Sequence, residues 1–281
     1  MTLLVTIVTL TMTSCGEFAV VQKSFDYDYK YESAKAYYMA GKYTKASALL
    51  YDLLSIMKGT ANGEESLYMT AMSEYRKKNY DMAHSSFSKY TQVYPRGAFV
   101  ELAHYYSAMS LYNQVSDPRL DQSSTMEAMT EFQQFLDRYP YTNLKAQTQE
   151  MVFALQDRLV EKECLSAKLY YDLGGYIINS MYGGSNYEAC IVTAQNALRD
   201  YPYASPEKRE LLSILILRSR YQLAAKSVEE KRLERYRNTI DEYYAFANDF
   251  PESKYLKEAQ DILHHSEKAV KKRGGIEGLE D

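Results

Sequence analysis

The sequence has no tryptophan, and only three cysteines and four histidines in 281 residues. Without tryptophan it lacks the platform expected of a glycan-binding site. The histidines His84, His104, His264 and His265 have no cysteine, carboxylate or second histidine at a ligand spacing on one helical face. The adjacent pair diverges on a helix, so no metal site is expected. No phosphate-binding glycine loop, nucleophile elbow or HExxH helix occurs, and Gly183-Gly184 is not followed by Lys-Ser/Thr. Paired carboxylates such as Glu64-Glu65 and Glu229-Glu230 fall in polar runs, where solvated faces are the default. Neither catalytic residues nor cofactors are expected. A net charge of −4 and a pI of about 5.7 argue against nucleic acid as a partner. The apolar run from Leu3 to Leu10 is too short to cross a bilayer as a helix.

Against these shortages stand 29 tyrosines. A tyrosine has an apolar body and a wet tip, so it serves both the packed and the partner-facing sides of a helix. The stretch from Asn79 to Pro95 carries Tyr80, Ala83 and Phe87 at i, i+3 and i+7, with proline stopping the helix. The same ending recurs at Tyr139-Pro140, Tyr201-Pro202 and Phe250-Pro251. Eight residues before the four prolines stand Phe87, Phe132, Ala194 and Tyr243, all of a kind that a helix buries. The recurrence predicts an all-α helical repeat.

Gly41-Lys42-Tyr43 followed by Ala46 is the Gly-x-Tyr-x-x-Ala pattern of tetratricopeptide repeats. Its glycine accepts the left-handed geometry that ends a helix. Tyr43 to Tyr80 and Ala46 to Ala83 are both separated by 37 residues, close to the usual period. The expected architecture is a tetratricopeptide-repeat (TPR) solenoid of about five helical pairs over residues 30–272, capped by a C-terminal helix starting near Lys254. A tail would occupy 273–281. Leu102, Tyr105, Tyr106 and Met109 are placed on the first helix of the third pair, His84 is read as solvated, and Ser123 or Ser124 as the cap of the helix that follows the swollen turn after Tyr112.

The N-terminus carries Met12-Thr13-Ser14-Cys15-Gly16, which resembles the lipobox of a bacterial lipoprotein signal. Residues 1–14 would be the signal peptide, Cys15 the lipidated residue, and 15–29 a tether to the membrane. Cys164 and Cys190 could pair in an oxidising periplasm. Cys190 also occupies the slot of Ala46 and Ala83, which favours a packed thiol.

Three further segments, Asp121 to Asn143, Arg158 to Tyr176 and Asn196 to Ser205, are together similar to the BamD family. This is the lipoprotein tetratricopeptide component of the outer-membrane β-barrel assembly (BAM) machine. The resemblance covers about Lys30 to Lys226; the loop Tyr182 to Asn186 and the segment from Arg232 onward depart from it. It implies a non-catalytic scaffold on the periplasmic face of the outer membrane. The partners implied are the periplasmic domains of BamA, other BAM components, unfolded outer-membrane β-barrel proteins and the membrane through the lipid. Tyr68, Tyr75 and Tyr105 would then line an aromatic client groove, and Arg199, Tyr187 and Tyr203 would meet BamA. For Arg199 the alternative is a local role, capping its own helix or pairing near Asp200. A different periplasmic TPR lipoprotein, a cell-envelope or glycan scaffold, is the competing class.

Overall fold

The computed structural model describes residues 16–174 and 185–277. Among these residues the regular structure is helical. A short helix α1 (16–23) precedes five helical pairs and a final helix. The pairs are α2 (Tyr27–Met39) with α3 (Tyr43–Leu53), α4 (Ala61–Arg76) with α5 (Tyr80–Val93), and α6 (Val100–Tyr112) with α7 (Ser123–Arg138). After them come α8 (Lys145–Asp172) with α9 (Asn186–Asp200), α10 (Pro206–Ala225) with α11 (Glu229–Asp249), and α12 (Leu256–Glu277). Cys15 and the signal segment lie outside the described residues, as do most of the loop before Asn186 and the last four residues.

The chain forms two compact units, one of residues 1–116 and 122–152, the other of 117–121 and 153–281. In the first, Leu49, Leu50 and Leu53 of α3 pack with Ala34 and Met69, and Phe87 and Tyr90 of α5 pack with Leu67, Met72 and Ala103. In the second, Val160, Cys164 and Ala167 of α8 meet Cys190, Ala194 and Leu215, while Ile214 and Leu217 meet Tyr243, Phe246 and Ile262. No pair buries its stripe alone, so packing between neighbouring pairs supplies the stability.

The recurring helix stop is one local structure used four times. The capping residues Tyr94, Tyr139, Tyr201 and Phe250 have φ of −125°, −125°, −124° and −132°, with ψ between 62° and 68°. Each donates its N–H to the carbonyl four residues back. Each also accepts from the N–H three residues on, at 2.9, 3.2, 3.1 and 3.1 Å. The following proline cannot donate an N–H and disfavours helical geometry at the residue before it, which fixes the stop. Twelve residues before each proline stand Ala83, Ala128, Cys190 and Thr239, all fully buried. Cys190 thus fills an alanine slot, and both Cys164 and Cys190 are free, buried thiols.

Helix starts follow their caps. Asp26 accepts from the Tyr29 N–H at 2.9 Å, and Thr60 from the Gly63 N–H at 3.0 Å. Gly63 permits a close approach, since a Cβ there would lie 1.9 Å from the Met57 carbonyl oxygen. Before α7 the cap position belongs to Gln122, with Ser123 already the first helical residue. Gln122 is buried and its side-chain oxygen accepts from Thr125 at 2.8 Å, so neither serine caps as expected.

The ends of the array differ from the sequence reading. The segment expected as a tether contains α1, whose Val21 is 4% exposed in the core with Tyr31, Ala34 and Leu49. Phe18 packs edge-on against Tyr37 at 5.9 Å. Eight residues are too few to hold a helix in isolation, so these tertiary contacts make it. At the other end α12 continues to Glu277, into the segment expected as a tail.

Candidate functional site

In the first unit, α4, α6 and the start of α8 leave a cleft of about 260 Å³. Tyr75 and Arg76 reach it from the last turn of α4. Leu102, Tyr105, Tyr106 and Met109 line it from α6, with Leu144 and Gln147 opposite. The four α6 positions follow the i, i+3, i+4, i+7 spacing of one helix face. Leu102 is exposed on the cleft. A stripe that reaches the surface at one end is how a helix contributes to both a core and a groove.

Of the three tyrosines expected to hold a client, Tyr75 and Tyr105 line this cleft and Tyr68 does not. Tyr75 is half-buried, edge-on to Tyr80 and Tyr106 at 5.5 and 5.1 Å, and its hydroxyl accepts from Asn113 Nδ2 at 3.2 Å. Tyr105 is 4% exposed, packed against Phe135 at 5.7 Å, and burial pushes its phenol up to about 12. Its hydroxyl makes no hydrogen bond among the described residues. Tyr105 is therefore a wall of the cleft rather than a contact group. Tyr68 is buried beneath Phe99, stacked at 4.5 Å, with its phenol pKa raised chiefly by desolvation. Expected in the client groove, Tyr68 is instead a core residue. Arg76, Leu102, Tyr106, Met109, Leu144 and Gln147 were not read as site residues. The α6 spacing was the signal available for Leu102, Tyr106 and Met109 alone.

The trio expected to meet a partner in the second unit divides similarly. Tyr187 is buried, 7% exposed, and its hydroxyl accepts from Lys226 Nζ at 2.8 Å, so it packs inside the unit and presents no ring to a partner. Tyr203 is 79% exposed. It follows Pro202 as Tyr141 follows Pro140, and Tyr141 is exposed too, which is the position the repeated stop turns outward. Arg199 is exposed in the last turn of α9, where its Nε donates to Asp200 Oδ1 at 2.9 Å. An exposed pair of this kind contributes little to stability.

One cluster resembles a nucleophilic relay in outline. Ser107 Oγ lies 3.0 Å from His84 Nδ1, and His84 Nε2 lies 3.9 Å from Glu131 Oε1. Ser107 is buried in the middle of α6, where its neighbouring amides are committed to the helix, so no oxyanion donors are available. The cluster ties α5, α6 and α7 together, and His84 is packed between helices instead of solvated. Beside it a polar cleft of about 550 Å³ carries His104, whose Nε2 is 3.1 Å from Arg138 Nη1. Desolvation, and then the Arg138 charge, lower the His104 pKa and keep it neutral. Among the described residues no group of three or more potential ligands is placed to hold a metal ion.

The described residues define an all-helical protein of tetratricopeptide-like pairs. A family model described as YfiO, outer membrane lipoprotein, matches residues 26–178, more than half of the chain, and the chain belongs to that family. It is 25% identical over 109 residues to the outer membrane protein assembly factor BamD of Caulobacter vibrioides. It is 23% identical over 129 residues to the same factor of Rickettsia prowazekii. These stretches are 39% and 46% of this chain and span 36% and 51% of the two relatives' own lengths.

Proposed function

We propose that this protein is a non-catalytic scaffold of outer-membrane β-barrel assembly, anchored by a lipid on Cys15 at the periplasmic face. In this reading the first unit holds a segment of an unfolded barrel protein and the second meets the periplasmic domains of BamA. Family membership supports the setting. The observation that carries the client role is the cleft of α4, α6 and α8, where the apolar side chains of Leu102, Tyr106, Met109 and Leu144 lie beside the Arg76 cation and the Gln147 amide. A barrel strand alternates apolar and polar side chains and ends, at the last strand, in a carboxylate. An apolar floor with a cation at the rim matches both features.

The test is anisotropy of a fluorescent peptide copied from the last strand of an outer-membrane barrel. Leu102→Asp and Arg76→Glu should each weaken binding by about tenfold, which is about 1.4 kcal/mol. Tyr141→Ala, on an exposed turn outside the cleft, should leave binding unchanged. Equal affinities for all three variants would remove the client role from this cleft. For the second unit, Arg199→Glu should lower recovery of BamA with no change in melting temperature, since among the described residues the side chain bonds only to its neighbour Asp200. Unchanged recovery would move the contact off α9.

A further inference from the structure

Beside the N-terminal helix lies a surface recess of about 530 Å³ that the proposed scaffold role does not use. Phe25, Tyr27 and Ile56 line it, with Lys23 at its edge and the Lys30–Asp52 ion pair (3.4 Å) at one side. Phe25 is 87% exposed, Ile56 48% and Tyr27 40%. Large apolar side chains gathered in this way on a water-facing surface mark a contact.

Position in the chain selects the occupant. Gly16, the first residue of α1, directly follows Cys15, and Phe25 comes ten residues after it. An eight-residue helix is about 12 Å long. α1 is not a loose leash. Val21 and Phe18 pin one face of it to α2 and α3, and Lys45 Nζ sits 5.6 Å over the Phe18 ring. A lipid at Cys15 would therefore be held close to Phe25 by a rigid link. We infer that Phe25, Tyr27 and Ile56 form a membrane-contact patch that enters the headgroup region of a phospholipid leaflet beside the lipid anchor. The inference rests on the proposed lipidation of Cys15. Aromatic side chains with an adjacent lysine suit the interface, where rings sit at headgroup depth and an ammonium reaches phosphate. Two contacts flanking one packed helix would also fix how the first unit faces the membrane, which a single flexible tether cannot do.

Depth-resolved quenching tests this. Bimane is attached in turn to Phe25→Cys, Ile56→Cys and, as an outlying control, Tyr141→Cys in the full-length mature protein. Cys164 and Cys190 are buried, and burial holds the Cys164 thiol up at about 12, so neither competes for label. The proteins are reconstituted into phosphatidylethanolamine–phosphatidylglycerol vesicles containing brominated acyl chains. Mass spectrometry of the N-terminal peptide reports the lipid separately, and any preparation with an unlipidated Cys15 is relabelled in a Cys15→Ser background so that bimane sits at the chosen position alone. At positions 25 and 56 we expect quenching by brominated lipid several-fold stronger than at 141, with several-fold weaker quenching by aqueous iodide. A lipidated protein in which 25 and 56 remain as iodide-accessible as 141 overturns the patch and leaves the anchor intact. An unlipidated N-terminus with strong lipid quenching overturns the anchor and supports the patch. An unlipidated N-terminus without lipid quenching overturns both. Iodide shielding at 25 in the absence of vesicles, growing with protein concentration, assigns the surface to a second copy of the chain and overturns the membrane contact.

Discussion

Lys78 holds φ at 62° in the turn between α4 and α5, the place that Gly41 takes at 71° between α2 and α3. The two turns are otherwise alike: Lys78 and Gly41 donate to the carbonyls of Tyr75 and Tyr38 at 2.9 and 3.0 Å. A residue with a Cβ costs about 1–2 kcal/mol in this conformation, and glycine gives back about 0.5–1 kcal/mol through the unfolded chain. Lys78→Gly is therefore expected to raise stability by about 0.5–1 kcal/mol in urea denaturation, and a lowered midpoint would contradict that balance. Within α7 the register decides a second pair of outcomes. Phe132 is fully buried and Gln134, two residues on, is exposed. Truncating Phe132 to alanine should cost about 3–5 kcal/mol, whereas Gln134→Ala should stay within about 0.5 kcal/mol. Equal midpoints would mean the helix is rotated from the register described. Single residues were also where the sequence misled. Tyr68, Tyr105 and Tyr187 were read as recognition groups, yet all three are core. A tyrosine suits either side of a helix, and its environment follows from neighbours such as Phe99 and Lys226 that are distant in sequence.

At the scale of elements, the helix stops were legible because proline and the periodic burial before it act within one turn or two of chain. The prolines and the buried residue eight before each carry over directly into the four matching caps. Helix α1 was not legible, since nothing local sustains an eight-residue helix. Contacts between elements were hidden for the same reason. Lys208 at the start of α10 donates to Asp157 of α8 at 2.6 Å and reaches Glu161 at 3.1 Å, and the Ser205 N–H adds a bond to Asp157 at 3.3 Å. Burial alone would raise the Asp157 pKa. The bonds from Lys208 and Ser205 outweigh it, so the carboxyl lies below its ordinary value in the folded chain. A depressed folded-state pKa means the contribution is complete above the unfolded value, about 3.9, and is lost as pH falls through the folded value. Asp157→Asn should consequently lower the urea midpoint at about pH 6, with the deficit shrinking as pH falls below about 4. A deficit independent of pH would show that the pair acts through shape rather than charge.

For the whole molecule, membership of the outer membrane lipoprotein family agrees with the repeat pattern and with the segments that resembled BamD. The cleft of the first unit was half legible. The α6 stripe was visible in sequence, but its partners Arg76, Leu144 and Gln147 come from helices whose approach depends on the packed repeats. The central claim is that this chain works as a lipid-anchored part of barrel assembly, and its most direct test is recovery of its partners from cells. The tagged, full-length protein would be cross-linked in intact cells, purified from detergent-solubilised outer membrane, and its partners identified by quantitative mass spectrometry. The account predicts BamA among the most enriched proteins, in near-equal amount to the bait, with unfolded barrel proteins enriched behind it. Recovery of the intact protein from the outer membrane with no BamA, or with only cell-wall or glycan-handling proteins, would contradict it.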